Sequence, residues 1–306
     1  MIRKHTRRAA KAAFAISLGV AIVIGLFAGA ARPATKAPTI VIGTKNFPEE
    51  YILGALYQQA LAAKGFDVTN KGSLGSTELI QTALTSGKIN FYPEYTGVIV
   101  QDVFHNSFSG KSAQATYNKA KQLEATKGFT LLEMTPFYDT DVIAVTNATA
   151  QKYGLKSIAD LKKIGSYKFA GFPECQTRNT CLVGYQKQYG IGKVTFVPLA
   201  SISAYTLLDQ NKVQAADVFS TDPPLSKPSK YTVLADPKHV TGFQNVAPIV
   251  KTSVAQAAGS TFARTVNAVS AKLTLPAMIA MNKAVVVDKQ DPSSVAKAFL
   301  KANGLT

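Results

Sequence analysis

Two cysteines lie six residues apart in PECQTRNTC, Cys175 and Cys181, with Arg178 between them. A C-x-x-C redox pair is spaced more tightly, and a structural metal needs more Cys or His nearby. A disulfide closing a short loop is therefore the favoured reading, with two free thiols as the alternative. By loop entropy so small a ring stabilises by roughly 2 kcal/mol, which makes it a local brace for what the loop carries, Arg178. Only three histidines occur, His5, His105 and His239. A His-based metal site or a Ser-His-Asp triad has almost no material to work with, so hydrolase and metalloenzyme readings recede, and neither metal nor other cofactor is expected.

The segment GSLGST precedes a helical run and sets Gly75, Ser76 and Thr77 at its start. Free N–H groups and the helix dipole favour a carboxylate there, while simple capping is the plainer reading of the same residues.

The elements that must position these groups begin after an export signal. MIRKHTRRAAK is a basic stretch followed by the apolar run AAFAISLGVAIVIGLFAGA, and Ala28, Gly29 and Ala30 form an A-x-A cleavage site. Residues 1–30 are read as a signal peptide, which places the protein outside the cytoplasm, periplasmic or extracytoplasmic. No Cys follows the run, which excludes a lipoprotein anchor. Left uncleaved, the run is long enough to span a bilayer and would tether the chain. The signal carries five basic residues and no acid, so its loss takes the net charge from +16 to +11. The remaining lysines are spread along the chain without a basic helix or an interleaved aromatic-basic module, so no nucleic-acid partner is expected. With 46% hydrophobic and 17% charged residues the chain has material for a large core and is not disordered.

From residue 39 short β-branched runs alternate with helical ones, the pattern of an α/β protein. TIVIG, FDVTNKG and INFYPEYTG read as extended segments separated by the helices EEYILGALYQQALAAKG, ending at Gly65, and STELIQTALTSGK, capped by Ser76 or Thr77. The pattern then repeats with DVIAVT, the capped helix SIADLKKI, KFAGF, KVTFVP, the helix SAYTLLDQNK and AADVFSTD, and VAPIVK adds one more extended stretch. Helical patterns at about 254–281 and in DPSSVAKAFLKANG close the chain. One domain is read at 38–144 with a return over 246–306, a second at 145–245, with extended connections near DVIAVT and NVAPIV as hinge. Two such lobes close on a ligand held between them.

GTKNFPEEYILG, GSLGSTELIQTAL, NFYPEYTG, PFYDTDVIAVT and VFSTD, in this order and spacing, resemble the substrate-binding proteins of quaternary-amine ABC transporters, which import glycine betaine, choline, carnitine and related osmoprotectants. The resemblance runs over nearly the whole chain after the signal. It implies a type II periplasmic binding protein, two α/β lobes joined by a two-strand hinge, in agreement with the reading of the elements. It also implies a monomer with no enzymatic activity that delivers its ligand to an ABC permease and, through it, to ATPase subunits.

A trimethylammonium donates no hydrogen bond, so π-faces and carboxylate oxygens hold it best, each face contributing about 0.5–2 kcal/mol. Three or four faces with an Arg on a ligand carboxylate reach the roughly 8 kcal/mol of micromolar binding. Carried over position by position, the resemblance puts Lys45, Tyr95, Asp139, Arg178 and Tyr205 at the ligand, and Phe219 where a box Tyr is frequent. Ser76 and Thr77 join them as the anion-binding turn. Two departures stand out: Val98 where the family often has Thr after EYTG, and Asp141 where it often has Tyr. The carboxylate-holding side is thereby leaner and the cation side more acidic. Outside the motifs the same residues read as ordinary structure, Lys45 as a solvated lysine, Asp141 as a strand flank and Tyr205 as core. Tyr92 and Tyr138 are assigned to packing. The competing readings are the same fold binding another cationic or zwitterionic solute such as ergothioneine, an exported enzyme, or a tethered sensing module.

Overall fold

Along the chain, β1 (Ile40–Thr44) leads into α1 (Pro48–Ala63), β2 (Val68–Ser73), α2 (Thr77–Thr85) and β3 (Phe91–Tyr95). A short α3 (Thr96–Val98) runs into a π-helical turn, Ile99–Val103, before α4 (Ala113–Ala125) and β4 (Phe129–Leu131). Next come β5 (Asp141–Thr146), α5 (Asn147–Tyr153), a 3₁₀ segment Ile158–Ile164, β6 (Ser166–Gly171), α6 (Leu182–Tyr189), β7 (Lys193–Pro198), α7 (Ala204–Asp209), β8 (Ala215–Phe219) and β9 (Tyr231–Val233). The chain ends with β10 (Val246–Lys251), α8 (Thr252–Lys272), α9 (Leu275–Val286) and α10 (Pro292–Ala302). This computed structural model describes residues 37–108, 111–200, 202–225 and 230–306; the signal read at 1–30 lies outside them. No helix among the described residues is long and apolar enough to cross a membrane.

The strands form two five-stranded sheets of one topology, β2-β1-β3-β10-β4 and β7-β6-β8-β5-β9. In the first, β1 runs parallel to β2 and β3, and β10 lies antiparallel between β3 and β4. In the second, β6 runs parallel to β7 and β8, and β5 lies antiparallel between β8 and β9. Parallel neighbours need crossover helices on the sheet faces, and both faces are accordingly apolar. On the first sheet, Ile42, Phe91, Val246 and Val250 pack toward α1, α8, α9 and α10, while Tyr92, Ala247 and Ile249 pack the other face with α2 and α4. Alternation of side chains along each strand separates the two cores.

Local chemistry sets the boundaries. Pro48 opens α1 where no N–H is needed, Glu49 and Glu50 occupy its positive end, and Gly65 follows its last turn at φ +82°. SIADLKKI, expected as an α-helix, is a 3₁₀ segment with Ser157 and Asp160 bonded reciprocally as a capping box. Neither Ser76 nor Thr77 caps α2 through its side chain. The Ser76 hydroxyl donates to Glu78 (2.5 Å) and the Thr77 hydroxyl to Glu94 (3.2 Å).

Two segments connect the sheets, 135–140 and 241–245. They run antiparallel, with the Asp139 N–H donating to the Gln244 carbonyl (3.1 Å), a bridge between Tyr138 and Asn245, and the Asn245 amide donating to the carbonyls of Thr135 and Phe137 (both 3.0 Å). The crossings lie just ahead of the two apolar runs from which the hinge was read, because those runs sit inside their sheets. Tyr92 is fully buried, as a packing residue should be, whereas Tyr138 on the crossing is 48% exposed.

Glu124 of α4 is fully buried and neither carboxylate oxygen has a hydrogen-bond partner. Burial lifts its pKa from 4.5 to about 8. Between those values the folded protein holds a proton the unfolded chain has lost, so this group's contribution falls as pH rises and is lowest above the folded value. Glu124→Gln is expected to flatten the decline in melting temperature between pH 5 and pH 8.5. A decline unchanged by the substitution would show that Glu124 does not cause it.

Candidate functional site

The carboxyl ends of the parallel strands in both sheets open onto one cleft, the position in which open α/β sheets hold ligands. Lys45 follows β1, Tyr95 ends β3, Phe172 follows β6 and Phe219 ends β8, and all four line the cleft. Of the residues expected from the sequence, Lys45, Ser76, Thr77, Tyr95, Asp139, Asp141, Arg178 and Phe219 are brought together there.

Tyr205 is not. It stands on α7 against the core on the outer face of the second sheet, its ring 4.9 Å edge-on from that of Tyr231 and its hydroxyl donating to Asp222 (2.9 Å). The core reading of this tyrosine is the one the packing supports.

Phe47, Phe172, Glu174, Asp217 and Gln244 line the cleft without having been singled out. Strand periodicity points to Asp217, because positions two apart on β8 share a face with Phe219. Phe47 sits within the quoted GTKNF, and Phe172 directly follows a strand end in KFAGF.

The aromatic wall crosses the cleft. Phe219 stacks on Phe47 (centroids 5.0 Å apart, 28° between planes) and on Phe172 (5.8 Å, 26°), and Phe47 stands 6.2 Å from Tyr95. These rings lean on each other, so a cation reaches between them only if they part, or sits on their free faces. One face is already in use. The Lys45 ammonium lies 4.2 Å from the Tyr95 ring centroid and 5.5 Å from that of Phe47, and is ion-paired to the fully buried Glu94 at 2.5 Å.

Carboxylates dominate the rest of the lining. Asp139 accepts from Ser220 Oγ and the Thr221 N–H, both at 3.0 Å. Burial, then the charges of Glu49 and Asp222, push its pKa well up. Burial also raises Asp141, against the pull of Arg178 and Lys45, and burial with the charge of Asp141 raises Asp217 well above the carboxylate range. Arg178 feels burial as a lowering influence, more than offset by Asp102 and Glu78.

The disulfide is formed, Cys175 to Cys181 with Cα atoms 5.1 Å apart. Its sulfurs and an Asp217 carboxylate oxygen lie within 4.8 Å of one another, but cystine sulfur is no thiolate and this trio is no metal site. The loop packs directly on α6, where a Cβ on Gly184 would fall 1.9 Å from the Asn179 carbonyl oxygen. From it two side chains reach residues of the first sheet's side. Arg178 Nη2 donates to Glu78 of α2 (2.9 Å), and the Thr180 hydroxyl donates to Asp102 in the π-helical turn (2.9 Å).

Deeper between the lobes, Glu49 is buried and accepts from the Tyr95 hydroxyl (2.8 Å), the Thr221 hydroxyl (2.8 Å) and the Asn282 amide (2.9 Å). Burial raises its pKa and these three donors oppose the rise.

Known proteins place this architecture. The chain is 30% identical over 296 residues to the glycine betaine-binding protein YehZ of Escherichia coli, covering 92% of this chain and 96% of that one. It is 32% identical over 295 residues to a glycine-betaine-binding protein of Pseudomonas aeruginosa, covering 92% of each. A crystal structure described as a glycine betaine/carnitine/choline ABC transporter superimposes with a TM-score of 0.69 at 21% identity, over 87% of this chain and 99% of that one, and shares the two-lobed fold. Residues 38–302 match the family described as the substrate binding domain of ABC-type glycine betaine transport systems, a binding role without bond chemistry, and the chain belongs to that family.

Proposed function

We propose that the protein is an exported, monomeric solute-binding subunit that holds a quaternary amine, glycine betaine or choline, in the cleft and passes it to a permease driven by ATPase subunits. One lobe is built on the first sheet, from 38 to the crossing at 135–140 and again over 246–306, and the other on the second sheet between the two crossings, with β5 wholly inside it. The observation that carries this reading is the aromatic wall of Phe47, Phe172 and Phe219 set beside Asp139, Asp141, Glu174 and Asp217 in the cleft. π-Faces and carboxylates are the groups a methylated ammonium requires. Because Phe47 belongs to one side of the cleft and Phe219 to the other, opening the lobes parts the rings, and closing them presses both faces on the ligand. Lys45, Ser76 and Thr77 complete the wall on the first lobe.

A ligand that binds only the folded state raises stability by about 2.7 kcal/mol at a hundred times its Kd. For a chain of this size the melting temperature should then rise by about 5–10 °C in saturating choline or glycine betaine. No rise with either, at millimolar concentration, would contradict the proposal.

A further inference from the structure

We propose that Asp217, set beside Asp141 in the cleft, accepts a hydrogen bond from the ligand, so that the solute this site prefers is a quaternary amine bearing a hydroxyl or N–H rather than a donor-free betaine. The inference rests on the function proposed above and narrows it.

Asp217 lines the cleft, is 3% exposed, and its Oδ1 has no hydrogen-bond partner. A buried carboxylate oxygen left without a donor carries its full desolvation cost, and a donor on the ligand removes it. Glycine betaine, with three N-methyl groups and a carboxylate, has none to offer at neutral pH. It would instead need a cation for its carboxylate; both lining cations are already ion-paired, and only the buried Nε–H of Arg178 is left without a partner. Lys45 is ion-paired to Glu94, and Arg178 to Glu78. The other charged residues of the lining are Asp139, Asp141, Glu174 and Asp217, all acidic. Burial pushes Asp139, Asp141 and Asp217 toward the neutral form; a ligand of net positive charge draws them back toward ionisation, and none of them offers a counter-charge to a carboxylate.

The spacing agrees. Asp217 and Phe219 occupy successive same-face positions of β8, about 6.6 Å apart along a strand. A cationic head on the Phe219 ring, a two-carbon arm and one hydrogen bond of about 2.8 Å cover such a distance. Burial and then the charge of Asp141 favour the protonated form of Asp217. An approaching quaternary nitrogen acts against both effects and favours the ionised acceptor.

The test is calorimetric titration of the purified protein with choline, with its O-methyl ether, which keeps the charge and loses the donor, and with glycine betaine. Choline should bind at least ~10-fold more tightly than either, since a site built around a ligand hydroxyl rejects analogues lacking it. In Asp217→Ala, which removes both acceptor oxygens, the advantage of choline over its ether should shrink by ~10-fold, while the ether itself changes little. An ether that binds as tightly as choline, or a preference for glycine betaine, overturns the inference; the latter would mean that the aspartate pair shares a proton and donates it to the ligand carboxylate. If Asp217→Ala does not fold, the comparison of three ligands on the unaltered protein decides. Absence of binding by all three would overturn the inference together with the function proposed above, whereas binding without discrimination overturns the inference alone.

Discussion

Glu49→Ala is expected to lower the stability of the unliganded protein by about 3–5 kcal/mol, since it takes the acceptor from two buried hydroxyls and one of its acceptors from a buried amide. The donors are the hydroxyls of Tyr95 and Thr221 and the amide of Asn282, drawn from both sides of the cleft. For a chain of this length the loss corresponds to a fall in melting temperature of about 6–20 °C, read by differential scanning calorimetry. Glu49→Gln keeps an acceptor oxygen and should cost well under half as much. A fall below about 2 °C in Glu49→Ala would show that the cluster is not a tie between the lobes.

Opening the disulfide should have its larger effect on binding. The ring between Cys175 and Cys181 carries both Arg178 and Thr180, whose contacts to Glu78 and Asp102 join the two sides of the closed cleft. A ring this small contributes roughly 2 kcal/mol by chain entropy, so replacing both cysteines with serine lowers the melting temperature modestly. Freeing the loop removes two inter-lobe contacts at once, and affinity for choline and glycine betaine should fall alike, by about tenfold, equivalent to 1.4 kcal/mol. Arg178→Ala should act in the same direction with a smaller, equally ligand-independent loss, because its partner Glu78 is half exposed and such pairs are worth little. A loss confined to the carboxylated ligand would return Arg178 to the role of carboxylate reader that the family resemblance implies.

The fold was legible because its signals are local and repeated. Short continuous apolar runs such as DVIAVT and VAPIVK became buried antiparallel strands, and Pro48 and Gly65 bracket α1 as their backbone preferences require. Less legible were α4 and α6, whose faces mix small and polar residues. SIADLKKI carries the capping chemistry of a helix and yet forms a 3₁₀ segment, since caps specify where a helix starts and not how tightly it winds. At the site, motif positions fell into the cleft wherever a strand end fixed them, as with Lys45, Tyr95 and Phe219. Tyr205 did not, because a helix offers several faces and its neighbours Leu207 and Leu208 direct this one toward the core. Phe172 follows the end of β6 and Asp217 lies in the middle of β8, and only the pairing of β6 with β8 reveals that they share a wall. The occupation of Arg178 by Glu78 joins residues a hundred positions apart, a contact that no local pattern encodes.

The most direct test of a quaternary-amine clamp is calorimetric titration of the protein against choline, glycine betaine and carnitine, repeated with Phe219→Ala. The expected result is one-site binding of at least one of them at micromolar Kd or tighter, about 8 kcal/mol, weakened at least tenfold when the Phe219 ring is removed. No heat from any quaternary amine at millimolar concentration, with a sugar or an ordinary amino acid binding in its place, would contradict the account.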